Sequence, residues 1–349
     1  MSKRPAGALA GIAMILIFAA PAGAVTRSPE PAVRDVVLDR PSPAGARISV
    51  SAPPQRYPVN DGSGATVAIA VTSACWTECD SAEPQAIANF VGTLLHSFEV
   101  ELLTIQLDTP FQLGFDCGFD AEACYFTGEN KMVISGDSWT GIGGASREFV
   151  IAHEYGHHVA QHREGPAPFP TPINWGTARW ASEERVCQGT RAGRYFPGDG
   201  SHYFEDPGEA FAESFARYHF PKSRVRWRWI SSLRPTAEAL SAIREDTLSP
   251  WSRRTSFTLK GRFPKGGPAV EWLRTPLDGM LSIRPSGLRR HRYRLVLRSP
   301  AGRVLRTSRQ GLDPQHRLTY TVCGQSRIGL VIKPGRRSGK AFKLQVQRP

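Results

Sequence analysis

The sequence has no apolar run outside its N-terminus that approaches the roughly 20 residues a helix needs to cross a bilayer. The N-terminal run, residues 8–20, is itself short, follows Lys3 and Arg4, and precedes an A-x-A pattern that ends at Ala24. These features are typical of a cleavable signal peptide. Residues 1–24 are therefore predicted to be removed, which leaves a mature chain without a transmembrane segment that is secreted, extracellular or cell-wall associated. No cysteine lies near the cleavage site, which argues against a lipoprotein.

Cysteine is scarce, with six residues in a chain of 349. In an exported protein these cysteines are expected to form disulfides rather than to bind metal. A metal site at Cys75 and Cys79 is the alternative for that pair, but it lacks a second CxxC-like partner. The predicted disulfides are Cys117 with Cys124 around a short loop, Cys75 with Cys79 across a turn, and, by elimination, Cys187 with Cys323.

Acidic residues are nearly missing from residues 250–349, which hold 23 Lys+Arg against 3 Asp+Glu, although the whole chain carries a net charge of only +13. Apolar and polar residues alternate there in stretches such as YRLVLRS and IGLVIKP, which predicts an antiparallel β-sandwich. Such a basic domain is expected to attract an anionic cell-wall polymer or polysaccharide. Nucleic acid is an unlikely partner, because the chain is predicted to be exported and carries no recognition motif for it.

The chain is longer than a typical single domain, so a catalytic and an accessory domain are expected. Residues 25–62, rich in Pro, Arg and Ala, read as a linker or pro-segment. Beyond them we predict a strand at 65–71, a helix at 83–97 and a strand at 100–107, and a long loop over the cleft at 163–202. The predicted divisions are a signal peptide (1–24), a linker or pro-segment (25–62), a catalytic domain (63–249) and a basic β-sandwich (250–349).

The strongest chemical motif is SREFVIAHEYGHHVAQH, residues 146–162, which contains His153, Glu154 and His157 in the pattern HExxH. Apolar and small residues recur at helical spacing, so both histidines should face inward, one turn apart. Two imidazoles at this spacing suit Zn²⁺, and the glutamate between them suits a general base that activates a zinc-bound water. The alternatives are a chance match or two hydrogen-bonded core histidines. Ser146 is the predicted N-cap.

A third ligand is predicted from residues 203–220, where Asp206 and Pro207 begin a second helix. Glu209 and Glu213 lie one turn apart on it. We predict that Glu209 binds the metal and that Glu213 accepts a hydrogen bond from a ligand histidine, although the two roles could be exchanged. Alternatively, Glu209 closes a capping box with Asp206. Tyr203 is a candidate for stabilising an oxyanion and could equally be a core residue.

HEYGHH followed by EAFAESFA (residues 209–216) resembles the gluzincin branch of zincin metallopeptidases, and its lethal-factor-type pattern in which the first Glu of an ExxAE run binds zinc. Upstream, CYFTGENKMVISGD (residues 124–137) is similar to the neutral zinc metallopeptidases, although no ExxAD follows the active helix here. The likeness covers roughly residues 117–220. It implies an α+β zincin-like domain in which residues 131–135 form an edge strand that can pair with an extended peptide. The C-terminal region looks like the accessory β-sandwich of secreted peptidases.

The predicted function is a secreted zinc endopeptidase that hydrolyses protein or peptide substrates through zinc-bound hydroxide. Two alternatives stay open at this point. One is a cell-surface or wall-binding protein with an inactive zincin domain, and the other is a zinc amidase that acts on cell-wall peptides.

Overall fold

The computed structural model describes residues 53–73, 75, 81–119, 121–136, 145–169, 172–265, 267–286, 293–308, 317–335 and 341–349. The predicted signal peptide and most of the predicted linker lie outside these residues. The described residues combine helices with one mixed and two antiparallel sheets, which confirms the α+β class.

The first sheet has five strands in the order β1-β2-β3-β5-β4. Strands β2, β3 and β5 run parallel, and the two outer strands pair antiparallel to them. The inner strands are almost wholly buried, as expected for parallel strands rich in Val, Ile and Leu. The strands are β1 (Gln55–Pro58), β2 (Thr66–Val71), β3 (Thr104–Asp108), β4 (Ala123–Phe126) and β5 (Lys131–Ser135).

Two expectations about this sheet are wrong. Strand β1 lies inside residues 25–62, so ordered structure begins before the predicted start at residue 65. Lys131–Ser135 is not the edge strand, because β5 pairs with β3 on one side and with β4 on the other. The edge on this side of the sheet is β4, a strand of only four residues that the Cys117–Cys124 disulfide ties to the preceding helix.

Eight helices occur in the described part of the chain, and several differ from their predicted bounds. The first ends at Thr93 rather than near residue 97, and a 3₁₀ segment, Phe98–Leu102, replaces the start of the predicted second strand. Residues 163–202, predicted to be one long loop, contain three short helices. The helices are α1 (Glu83–Thr93), α2 (Pro110–Cys117), α3 (Arg147–Gln161), α4 (Pro172–Trp175), α5 (Ala178–Glu183), α6 (Val186–Arg191), α7 (Pro207–His219) and α8 (Ala237–Leu248).

The 3₁₀ segment places a buried ion pair beneath α3. Glu99 and Arg163 lie 2.9 Å apart, with side chains 0% and 2% exposed. Arg163 also donates to the main-chain carbonyls of Asp246 and Thr247 at the end of α8. Burying two charged groups is costly unless they are paired and hydrogen-bonded, and here Glu99 and Arg163 satisfy each other.

We expect Glu99→Ala to lower the free energy of unfolding by about 3 to 5 kcal/mol, because it leaves the Arg163 guanidinium buried without its carboxylate. Urea denaturation measures the change. Glu101→Ala is the matched control, since Glu101 is exposed on the same segment, and it should stay within about 0.5 kcal/mol of the parent. Equal losses in the two variants would contradict the account of this ion pair.

The last hundred residues form two four-stranded antiparallel sheets, ordered β10-β9-β12-β7 and β11-β8-β13-β6. Inward side chains of both sheets share one hydrophobic cluster, the arrangement of a β-sandwich. A separate and larger cluster fills the N-terminal part. The strands are β6 (Thr255–Arg262), β7 (Ala269–Arg274), β8 (Gly279–Pro285), β9 (Arg294–Arg298), β10 (Val304–Thr307), β11 (Leu318–Val322), β12 (Arg327–Lys333) and β13 (Ala341–Arg348).

Disulfides join Cys117 to Cys124 and Cys187 to Cys323, which confirms two of the predicted pairs. Cys75 is also disulfide-bonded, and its predicted partner, Cys79, lies outside the described residues. Disulfides persist in oxidising compartments, so the chain is suited to such an environment. Among the described helices, none is long and apolar enough to cross a membrane.

Candidate metal centre

Helix α3 carries the HExxH motif through the centre of the N-terminal core. The Ser146 side chain accepts a hydrogen bond from the Phe149 amide at 3.2 Å, which confirms it as the N-cap. His153 and Glu154 are 0% exposed and His157 is 3% exposed. The predicted inward orientation of both histidines is therefore confirmed.

Helix α7 packs directly against α3. A side chain at Gly156 would lie 2.8 Å from the Ala212 Cα, so the glycine inside the motif is what allows the two backbones to approach this closely. Asp206 caps α7 by accepting from the Gly208 amide at 2.8 Å, and Pro207 occupies the first turn, both as predicted.

This packing brings Glu209 to the two histidines. Its Oε2 lies 3.4 Å from His153 Nε2 and 3.5 Å from His157 Nε2. One ligand atom from each of the three residues lies within 4.8 Å of the other two, so the group could hold a metal ion. The capping-box alternative is not observed, because the Asp206 amide donates to the Tyr203 carbonyl instead of to Glu209.

Several buried polar atoms at this centre make no hydrogen bond with the described residues. They include both ring nitrogens of His153, both carboxylate oxygens of Glu154, and Oε2 of Glu209. Leaving one such buried group unsatisfied costs about 1 to 3 kcal/mol, and more when the group is charged. A bound cation would satisfy the ligand atoms together.

Glu213 lies one turn after Glu209 and faces the other nitrogen of the His153 ring. Its Oε2 is 3.5 Å from His153 Nδ1. Its Oε1 accepts a hydrogen bond from Arg217 Nε at 2.9 Å. Arg217 Nη2 also contacts this carboxylate oxygen and donates to the Val225 carbonyl. Arg217 therefore fixes the Glu213 carboxylate beside the His153 ring, and the role of Glu213 in supporting that histidine stays a prediction.

The electrostatics of the centre shift the pKa values of two of its carboxyl groups in opposite directions. Burial raises the pKa of Glu154 to about 8, a rise that the charge of His153 opposes and that of Glu209 increases. Burial acts in the same direction on Glu209, but its close contacts with the His157 and His153 side chains, above all their positive charges, outweigh burial and lower the pKa of Glu209 to about 2. Burial opposes protonation of His153, yet Glu209 and Glu213 hold its pKa well above the usual range. Carboxyl groups driven apart in this way are typical of sites that use them for different tasks.

Sequence reasoning missed Trp229, which stacks on His153 with ring centroids 5.7 Å apart. Trp229 is 6% exposed. It also meets Trp227 in an edge-type ring contact, and the Arg217 guanidinium lies over the Trp227 ring. These tryptophans come from residues 221–235, which have no clear periodicity. The sequence feature that could have drawn attention to these tryptophans is their W-x-W spacing.

His158 and Tyr203 make contacts outside the group of three candidate ligands. His158 faces the sheet, where its Nε2 donates to the Glu99 carbonyl at 2.7 Å and its Nδ1 accepts from the Tyr125 hydroxyl at 2.8 Å. Tyr203 is half-buried in the 3₁₀ segment Gly200–Glu205, with its ring edge-on to Phe204. Its role at an oxyanion stays a prediction.

Cys187, Asp278 and Cys323 are a second group with ligand atoms close together. The two sulfurs are joined in a disulfide, so neither can act as a thiolate ligand. The histidine centre is therefore the stronger metal candidate among the described residues.

Comparison of the sequence with protein-family models gave no match, and comparison with curated proteins gave none either.

Proposed function

We propose that the protein is an exported zinc-dependent endopeptidase with a zincin-like catalytic domain of the gluzincin type. The observation that carries the proposal is the buried group of His153, His157 and Glu209, with the Glu154 carboxylate beside it on the same helix. Two imidazoles and one carboxylate are the donor set of catalytic zinc sites that leave a position for water or substrate. The harder cations Ca²⁺ and Mg²⁺ prefer sites made only of oxygen ligands.

Each residue then has a distinct task. His153, His157 and Glu209 would hold Zn²⁺, which when bound acts as a Lewis acid and lowers the pKa of a coordinated water. Glu154 accepts a proton from the attacking water at its carboxylate and passes it to the leaving amine. Its buried position favours this task, because burial raises the pKa of the Glu154 carboxyl and makes its carboxylate a stronger proton acceptor.

The supporting residues keep the ligands in place. Glu213, anchored by Arg217, lies 3.5 Å from His153 Nδ1 and would accept its proton in a hydrogen bond, which would leave Nε2 directed at the metal. Trp229 covers one face of the same ring and limits the water that reaches it. The HExxH motif supplies His153 and His157 as ligands. Glu213, Arg217 and Trp229 fix the orientation of His153.

We assign substrate binding along the sheet to β4 instead of β5, the strand that the sequence predicts to be at the edge. An edge strand has free backbone groups on one side, and an extended peptide can pair with them. β4 is one of the two edges of the five-stranded sheet and packs against α3, so a peptide paired with it would run beside the helix that carries the histidines.

The disulfides and the predicted signal peptide support action outside the cytoplasm, as a secreted or cell-wall-associated enzyme. The basic C-terminal sandwich would retain the enzyme on an anionic polymer of the cell surface.

We expect hydrolysis of casein or of a peptide library by the purified protein. The chelator 1,10-phenanthroline should abolish the activity and zinc should restore it, because the ligand atoms alone lack the Lewis acid. Release of amino groups measures cleavage, and purified cell wall is assayed in parallel. Activity on cell wall alone would favour the amidase alternative, and an inactive, zinc-loaded protein would favour the binding protein.

A further inference from the structure

One outer face of the C-terminal sandwich combines exposed apolar side chains with closely spaced cations. Leu273 of β7 points into the shared core, so the alternate residues Val270, Trp272 and Arg274 point away from it. Val270 is 54% exposed and Trp272 is 46% exposed. We call the outward positions of β7, β9 and β12 the Trp272 face.

Residues of the neighbouring strand β12 contact the Trp272 ring on this face. Gly329 of β12 lies directly opposite Trp272, and a side chain at Gly329 would come within 3.2 Å of the indole ring. The Arg327 guanidinium lies 4.4 Å from the ring centroid, close enough for a cation–π contact. Beside the ring, Val331 pairs with Val270 in the neighbouring strand; Val331 is buried, and Val270 and Trp272 supply the exposed apolar surface.

The charges on the Trp272 face have one sign. Its outward positions hold five cations and no acidic residue: Arg274, Arg294, Arg298, Arg327 and Lys333. Arg327 lies directly opposite Arg274, and Lys333 lies directly opposite Arg294. None of the five forms an ion pair with another residue in the part of the chain that the structure describes. Like charges in facing positions destabilise a sheet by several tenths of a kcal/mol for each pair.

An anionic occupant would relieve the repulsion within both pairs and could contact the exposed tryptophan beside them. We propose that the Trp272 face binds an anionic polysaccharide, with the guanidinium and ammonium groups on its acidic substituents and the apolar face of a sugar ring on Trp272. Proteins that bind single-stranded nucleic acid stack successive bases on several aromatic rings. The Trp272 face has one aromatic ring and an aliphatic floor, which suits a sugar chain better.

This inference rests on the proposed function only in placing the protein outside the cell. It concerns binding and involves no bond cleavage. It can therefore be tested with the full-length Glu154→Gln protein, because the test measures binding and requires no peptidase activity. A negative result would leave the metal centre untouched, and loss of the metal centre would leave this face intact.

The other sheet of the sandwich supplies a matched control. Lys343 of β13 lies directly opposite Lys260 of β6, and both are exposed. Arg274→Ser/Arg327→Ser and Lys260→Ser/Lys343→Ser therefore each remove one facing pair of like charges and change the net charge equally. Trp272→Ala tests the apolar contact.

Binding of each variant to immobilised polygalacturonate is measured by biolayer interferometry over a range of salt concentrations, with neutral dextran and a single-stranded oligothymidylate as comparison ligands. We expect the arginine double variant and Trp272→Ala each to weaken polygalacturonate binding at least about tenfold, or about 1.4 kcal/mol. The arginine variant should also flatten the salt dependence, whereas Trp272→Ala should leave it unchanged, because only the first removes ionic contacts. The lysine control should remain within about threefold of the parent.

Thermal melting separates a loss of binding from a loss of folding. The arginine double variant should melt within a few degrees of the parent, because the loss of a repulsive pair offsets the loss of the Arg327–Trp272 cation–π contact. An equal loss of binding in the lysine control would overturn the proposal in favour of general attraction to net charge. Unchanged binding in Trp272→Ala, or tighter binding of oligothymidylate than of polygalacturonate, would also overturn it.

Discussion

Glu154→Gln should retain the metal and lose at least about a hundredfold in turnover, because an amide of the same size cannot accept the proton of the attacking water. Glu154 is fully buried and makes no hydrogen bond with the described residues through either oxygen. The substitution therefore removes proton transfer without breaking a described contact. Turnover of a fluorogenic peptide and zinc content by mass spectrometry are measured on the same preparation.

Glu148→Gln is the matched control for this variant. Glu148 lies in the first turn of α3, on the same helix as Glu154 but away from the ligand group. It should retain activity within about twofold, since a single charge near a helix N-terminus contributes only about 0.3 to 1 kcal/mol to stability. Near-normal turnover in Glu154→Gln would contradict the assigned base, and loss of zinc there would show that Glu154 acts on the metal itself.

Glu209→Ala should purify largely without metal after mild chelation, whereas Glu213→Ala should keep it with an affinity reduced only about 10- to 100-fold. The structure provides the reason for the difference. Glu209 faces the Nε2 atoms of both histidines, and Glu213 faces Nδ1 of His153 alone. Zinc affinity is measured by competition with a chromophoric chelator.

The matching Glu→Gln variants guard against misfolding, because Glu213→Ala also leaves Arg217 without its carboxylate. Glu209→Gln should lose the metal as Glu209→Ala does, and Glu213→Gln should behave as Glu213→Ala does. Loss of the metal in the Glu213 variants alone would exchange the two roles. Equal loss in both pairs would mean that the glutamates share the metal.

The local part of the site could be predicted from the sequence. His153 and His157 face inward because helical periodicity fixes their direction, and Ser146 and Asp206 cap their helices because their side chains act on nearby amides. The sequence favours Glu209 over Glu213 as the metal ligand, but it leaves an exchange of the two roles open, since both lie on one helix face. Their assignment depends on how α7 approaches α3, which the contact at Gly156 sets.

The features that sequence reasoning missed all depend on contacts between distant segments. Trp229 reaches His153 from a segment without periodicity, and Glu99 meets Arg163 across 64 positions of the chain. The edge of the sheet was misplaced by one strand for the same reason. Four residues, ACYF, carry too little pattern to reveal β4, and only its pairing with β5 defines it.

The central claim is that His153, His157 and Glu209 together bind one zinc ion. X-ray absorption at the zinc edge, combined with metal analysis of the purified full-length protein, tests it most directly. The account predicts one zinc ion per chain, bound by two imidazole nitrogens and by oxygen, and its loss in His157→Ala. A protein that binds no zinc when the metal is supplied, or a spectrum dominated by sulfur ligands, would contradict it.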